Sequence, residues 1–128
     1  MPTPYTGGCL CGNIRFQATG TATLPHVCSC TICQRHSGAP VLNWITFPLQ
    51  AIEWTEKIPI AHYRSSAGSS RIFCPHCGST LGAMDDDGTV ALVTGCFDRQ
   101  NDPALSPLFH SFEDKKPVWL KIDLADRA

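Results

Sequence analysis

A mainly β fold with little helix is what this sequence predicts, and three observations carry the prediction. Ten prolines and ten glycines are scattered along 128 residues, so no stretch lets a long helix propagate. The apolar runs are short, and they either alternate with polar residues or are rich in β-branched and aromatic side chains. Eight cysteines fall largely in tight clusters, which suit knuckle-like loops between strands.

The elements follow in order. Ile14, Phe16 and Ala18 alternate with polar neighbours, the period of a half-buried strand. Thr31 to Ser37 is the one helix-like stretch, two turns at most. Val41 to Phe47 and Ile52 to Trp54 are apolar, aromatic and β-branched, with Pro48 as punctuation between two strands. Ile60 to Tyr63 and Arg71 to Phe73 flank a Ser/Gly turn at Ser65–Ser70. Thr80–Met84 and Thr89–Thr94 bracket Asp85-Asp86-Asp87-Gly88, whose Asp-Gly end is a hairpin signal. Val118, Leu120, Ile122 and Leu124 lie on one face of a period-2 pattern, which reads as a last strand.

Length and charge narrow the possibilities. The chain is long enough for one modest core, so residues 1–128 are expected to form a single domain. Ten Lys and Arg against eleven Asp and Glu give a formal net charge of −1. No basic stripe attracts nucleic acid or anionic lipid, and the interrupted apolar runs span no membrane. The start, Met-Pro-Thr-Pro-Tyr-Thr-Gly-Gly, lacks the pattern of a secretory signal, so a cytoplasmic address is expected. In that reducing compartment clustered cysteines are metal ligands rather than disulfides.

Seven of the cysteines form three clusters: Cys9 and Cys11, then Cys28, Cys30 and Cys33, then Cys74 and Cys77. Short spacing lets a loop curl two thiolates onto one ion without strain. Gly12 and Gly78 beside the sulfurs permit positive φ and bring backbone N–H groups toward the thiolates. A structural zinc takes four protein ligands, so seven cysteines make one closed site and a remainder of three. Three ligands leave a fourth position open, the ligand count of a catalytic zinc. Two partitions are open on spacing. Cys30, Cys33, Cys74 and Cys77 would make a zinc ribbon, leaving Cys9, Cys11 and Cys28. Alternatively Cys9, Cys11, Cys74 and Cys77 make the closed site, leaving Cys28, Cys30 and Cys33 as a compact trio; the trio's short span favours this slightly.

Several longer stretches resemble the glutathione-dependent formaldehyde-activating enzyme family, whose domain is shared with centromere protein V. They are Gly7-Gly8-Cys9-Leu10-Cys11-Gly12-Asn13-Ile14-Arg15-Phe16, the run from Cys28 to Pro40, Tyr63-Arg64-Ser65-Ser66, and Arg71-Ile72-Phe73-Cys74-Pro75-His76-Cys77-Gly78-Ser79. Gly95–Asp98, His110 and Lys116-Pro117-Val118-Trp119 continue the match nearly to the end. The resemblance implies a β-rich, Mss4-like fold with two zinc sites. It assigns Cys9, Cys11, Cys74 and Cys77 to the structural site and Cys28, Cys30 and Cys33 to a second, more labile one. It also implies a carbon–sulfur lyase activity, in which formaldehyde and glutathione condense to S-(hydroxymethyl)glutathione. A non-catalytic zinc module, or a chaperone-like protein of the same fold, is the alternative; the chain has none of the basic character a chromatin role needs.

If the trio is the reactive site, a zinc there would bind a thiol or polarise an aldehyde oxygen. Glutathione as co-substrate brings carboxylates, which planar guanidinium groups match. Arg35, two residues past Cys33, is the first candidate; Arg64 and Arg71 follow. Cys96 reads as a buried free thiol rather than a ligand. His36 could close the trio's fourth position, but solvent exposure on the helical turn is the expectation. His76 reads as a solvated knuckle tip, and His26 has no required role. His110 is balanced between facing the site and an ordinary core histidine. Trp44 and Trp119 read as core aromatics. Asp85, Asp86 and Asp87 read as a polar hairpin tip. Ser65, Ser66, Ser69 and Ser70 lack an adjacent base, so a serine nucleophile has no support.

Overall fold

The structure, a computed structural model, describes residues 3–124. Ten strands and one short helix follow the chain as β1 (Tyr5–Gly8), β2 (Ile14–Ala18), β3 (Thr23–Cys28), α1 (Thr31–Ser37), β4 (Leu42–Pro48), β5 (Ile52–Glu56), β6 (Ala61–Ser66), β7 (Ser69–Phe73), β8 (Thr80–Asp85), β9 (Thr89–Val93) and β10 (His110–Ser111). The mainly β, sparsely helical expectation holds. A three-stranded sheet runs β1-β2-β5, and a seven-stranded sheet runs β10-β3-β4-β9-β8-β7-β6. All pairings are antiparallel except the short parallel one of β10 with β3.

Alternation along the strands divides the large sheet into two working faces. Ile45 and Phe47 of β4 and Val90 and Leu92 of β9 meet Phe16, Ala18 and Ile52 of the small sheet, forming the largest buried cluster. Cys9, Ile14, Ile72, Cys74 and Leu81 continue that interior beside the first and third cysteine clusters. The opposite face carries Trp44, Ala83 and Val93, packed against Cys28 and Cys33. One sheet thus separates the two cysteine groups.

The helix spans Thr31–Ser37 as expected, because Cys30 caps its first turn through a bond from the Cys33 N–H and Gly38, at φ 74°, ends it. The hairpin at Asp85–Gly88 also forms, with Gly88 at φ 89°. The expected strand over Val118–Leu124 does not. Leu120 N–H bonds Pro117 O in a turn, and among the described residues no partner strand offers that segment a ladder. Alternation makes a strand only where a neighbouring backbone accepts it. Val118 and Trp119 are accordingly 88% and 69% exposed, so Trp119 is not a core aromatic. Trp44 is, at 4%.

Candidate metal centres and the adjoining cavity

Two groups of thiols assemble, each with its sulfur atoms within 4.8 Å of one another: Cys9, Cys11, Cys74 and Cys77, and separately Cys28, Cys30 and Cys33. The ribbon partition is excluded by placement, since Cys30 and Cys33 lie across the large sheet from Cys74 and Cys77.

The four-cysteine group is two knuckles facing each other. One follows β1 and the other follows β7. Each is closed the same way, the first cysteine's N–H bonding the carbonyl five residues on: Cys9 to Ile14 and Cys74 to Ser79, both at 3.0 Å. Gly12 and Gly78 take φ of 83° and 81°, as the sequence led us to expect. Further N–H groups point at the sulfurs, Ile14 N–H at Cys9 Sγ (3.3 Å) and Cys77 N–H at Cys74 Sγ (3.5 Å). Ser79 ties the knuckles together, its Oγ accepting from Leu10 N–H (2.9 Å) and lying 3.2 Å from Cys77 Sγ. That hydroxyl, with the Ser79 N–H, holds the Cys77 thiol down at about 5. The Cys9–Cys11 and Cys11–Cys74 sulfur separations are 3.6 and 3.7 Å. A tetrahedral ion with Zn–S bonds of 2.3 Å needs about 3.8 Å. The donor set fits a closed zinc site in number, type and spacing.

The trio is built locally. Cys28 ends β3, Cys30 is the helix cap and Cys33 lies in the first turn of α1. Cys30 N–H points at Cys28 Sγ (3.5 Å) and Cys33 N–H at Cys30 Sγ (3.3 Å). Burial pushes the Cys28 thiol up to about 12. Three thiols of this spacing fit a zinc with one position left open.

Arg71 links the trio to a cavity. Its guanidinium lies over the Trp44 ring at 5.1 Å and donates from Nη1 and Nη2 to Cys33 Sγ at 3.7 and 3.6 Å. It is only 9% exposed, and its Nε is buried without a hydrogen-bond partner among the described residues. A cation taken this far out of water needs an anion, which three thiolates gathered on a metal would supply. Arg71 also lines a cavity of about 400 Å³ with Thr31, Ile32, Arg35, His36, Tyr63 and Ser65. Across the guanidinium, a groove of about 300 Å³ runs over Trp44, Ala83 and Ala91 and also touches Cys33.

The other candidates sort by strand face and burial. Arg35 is exposed at the cavity rim. Arg64 is not brought there: it alternates with Tyr63 and Ser65 on β6 and is paired with Asp86, its Nη1 2.9 Å from Oδ1. His36 corrects the expectation of solvent exposure. Its ring is half-buried and edge-on to Phe73 at 6.4 Å, with Nε2 buried and unpartnered. Burial, then the neighbouring Arg71 charge, depresses its pKa. His76 is exposed, and His26 stacks on Phe109 at 4.8 Å. Cys96 is a half-buried free thiol bonding Thr80 O at 2.9 Å, its pKa raised to about 11 by burial and the nearby Cys9 and Cys77. His110 does approach the trio, through Ser29 (Oγ to Nε2, 2.7 Å). Ser29, Gln34 and Ser79 were not singled out in the sequence; only Ser79, directly after Cys77-Gly78, carried a local signal.

Residues 4–115 match the family model described as glutathione-dependent formaldehyde-activating enzyme. The chain belongs to this family. A Schizosaccharomyces pombe protein described as an uncharacterized lyase is 31% identical over an alignment 83 positions long, which covers 60% of this chain and 55% of that protein. The chain therefore spans about half the length of this curated relative. A crystal structure of a Rhodobacter sphaeroides protein superposes with a TM-score of 0.65 at 17% identity, covering 83% of this chain and 99% of that one. That likeness concerns the fold alone. Among the described residues, no helix is long and apolar enough to cross a membrane.

Proposed function

We propose that this member of the glutathione-dependent formaldehyde-activating enzyme family is a zinc-dependent enzyme of carbon–sulfur lyase type. It joins a thiol to an aldehyde, and glutathione with formaldehyde is the pair the family name suggests. Cys9, Cys11, Cys74 and Cys77 hold a structural zinc, while Cys28, Cys30 and Cys33 hold the second and are the catalytic set. We read the chain as a single cytoplasmic domain of Mss4-like architecture.

The observation that carries this reading is a three-thiolate group sharing Arg71 with a cavity. In the forward reaction the sulfur–carbon bond forms, the carbonyl π bond breaks, and the thiol proton goes to the aldehyde oxygen. A zinc at the trio would supply an open position that binds the thiol and lowers its pKa. The chain's own residues do the rest. Arg35 and Arg71 line the cavity, and among the described residues no acidic one does; with Arg71 turned to Cys33, exposed Arg35 is the group that meets a thiol's carboxylate. Buried Cys28, Cys33 and Trp44 shield one side of the reacting sulfur from bulk water. Arg64, committed to Asp86, is left out of this set.

The test is zinc content and turnover together. Wild type should hold two zinc ions per chain, and Cys30→Ser one, with loss of hemithioacetal formation. One tightly held zinc in wild type, unchanged in Cys30→Ser, would sink the reading.

A further inference from the structure

The three-thiolate loop is held from outside by a segment some eighty residues away in sequence. β10 pairs in parallel with β3, placing Ser111 opposite Cys28 and His110 opposite Val27. Leu108 N–H bonds Pro25 O (2.8 Å) and Val27 N–H bonds Phe109 O (3.1 Å), so residues 108–111 are laced to the strand that ends in Cys28. The lacing closes on Ser29, the residue between two of the thiols, which is 0% exposed. Its N–H donates to Ser111 O (3.0 Å), its hydroxyl bonds His110 Nε2 (2.7 Å), and its carbonyl accepts from Gln34 Nε2 (2.6 Å). The same Gln34 nitrogen donates to Lys115 O (3.0 Å). Every polar group of Ser29 is thus taken by the 110–115 segment or by the side chain bonded to it.

We infer that His110 is a positioning residue for the trio, acting through Ser29 to fix the directions in which Cys28 and Cys30 present their sulfurs. The histidine itself argues against a purely packing role. Its Nδ1 is buried with no hydrogen-bond partner among the described residues, a cost that an apolar side chain of similar shape avoids. What an apolar side chain does not provide is the bond to Ser29. The two thiol groups also differ in what holds them. The four-cysteine group has two knuckles braced on each other through Ser79. The trio has one loop and one short helix, so its ligand directions depend on hydrogen bonds from outside the ligand set. β10 is a two-residue strand at the sheet edge, and it supplies those bonds.

The inference rests on the reading that the trio binds a metal, and the experiment separates the two. Co²⁺ is titrated into the full metal-free chain and its thiolate-to-metal absorption followed for wild type, His110→Ala, His110→Gln, Ser29→Ala and the double alanine variant. Wild type should take two ions. His110→Ala should keep the first and bind the second roughly tenfold or more weakly. His110→Gln, whose amide reaches about as far as Nε2, should recover most of the loss. Ser29→Ala should match His110→Ala, with the double variant no worse than either. If His110→Ala does not fold, Ser29→Ala carries the comparison with the ring in place. Second-site affinity unchanged in both single variants, or additive losses in the double, overturns the inference. If wild type takes only one Co²⁺, the zinc-enzyme reading fails. Amide exchange of Ser29 and Cys30 in the metal-free chain then decides: clearly faster exchange in His110→Ala supports positioning, and unchanged exchange overturns it.

Discussion

Arg71→Met is the substitution whose outcome the structure specifies most fully. Methionine keeps an unbranched apolar stem on Trp44 while removing the charge. Three thiolates around a divalent zinc would leave one net negative charge, which the guanidinium at 3.6 Å from Cys33 Sγ would balance. At that separation a unit charge pair in an effective dielectric of 20 is worth about 4–5 kcal/mol. Lost hydration of the buried guanidinium offsets much of this, leaving a net of about 1.5–3 kcal/mol, the range for hydrogen bonds to charged groups. Zinc at the second site should then bind roughly 10- to 150-fold more weakly. The metal-free protein should respond differently: it loses a buried cation with an orphaned Nε, so its unfolding free energy should be unchanged or slightly higher. Competition titration with a colorimetric chelator reads both zinc affinities, and urea unfolding of the metal-free chain reads the second quantity. Arg71→Lys should fall between, because an ammonium cannot donate two parallel bonds while stacking on the indole. Second-site affinity within twofold of wild type in Arg71→Met would refute the charge-balance argument.

Four further outcomes follow from particular contacts. Cys74→Ser should prevent stable folding, because a structural zinc contributes on the order of 10 kcal/mol; Cys30→Ser should leave the circular dichroism spectrum and the first zinc intact. Phe47→Ala should cost about 3–5 kcal/mol in urea unfolding, since its ring is fully buried between the two sheets and 6.0 Å from that of Tyr5. Trp119→Ala should change stability by less than about 0.5 kcal/mol, as expected of an exposed side chain in a turn. Asp98 has its pKa lowered first by its bonds from Arg15 and then by Thr6. Its contribution is therefore present above the unfolded carboxylate pKa of about 3.9 and lost as pH falls through the lower folded value. Both side chains of this pair are more than two-fifths exposed, so the loss should be under about 1 kcal/mol, and Asp98→Asn should flatten that acid limb of the stability curve.

The residues differ in how far local sequence could speak for them. Ile14, Phe16 and Ala18 announced a half-buried strand because period-2 alternation and burial of one face are the same fact. The helix over Thr31–Ser37 and the hairpin after Asp85 were legible because their caps and turns are chemical features of a few adjacent residues. Val118 to Leu124 carried the same alternation and formed no strand, because pairing needs a partner that the pattern does not name. His36 looked exposed on a two-turn helix and is half-buried, because β7 brings Phe73 and Arg71 up against that helix. Proximity to Cys33 puts Arg35 ahead of Arg64 and Arg71 in the sequence; the alternation of strand faces sends Arg64 to Asp86 and Arg71 to Cys33.

The cysteines show where the division lies. Ligand type, number and a four-plus-three arithmetic are determined by composition and spacing, because a thiolate binds zinc wherever a short loop can present it. Which four close on one ion is a matter of which distant loops meet. Spacing leaves that pairing open and the family resemblance implies it; the tertiary structure sets the first and third clusters facing each other on one side of the large sheet. The same sheet set the trio on its other side, beside a buried arginine and beneath a strand edge from the far end of the chain.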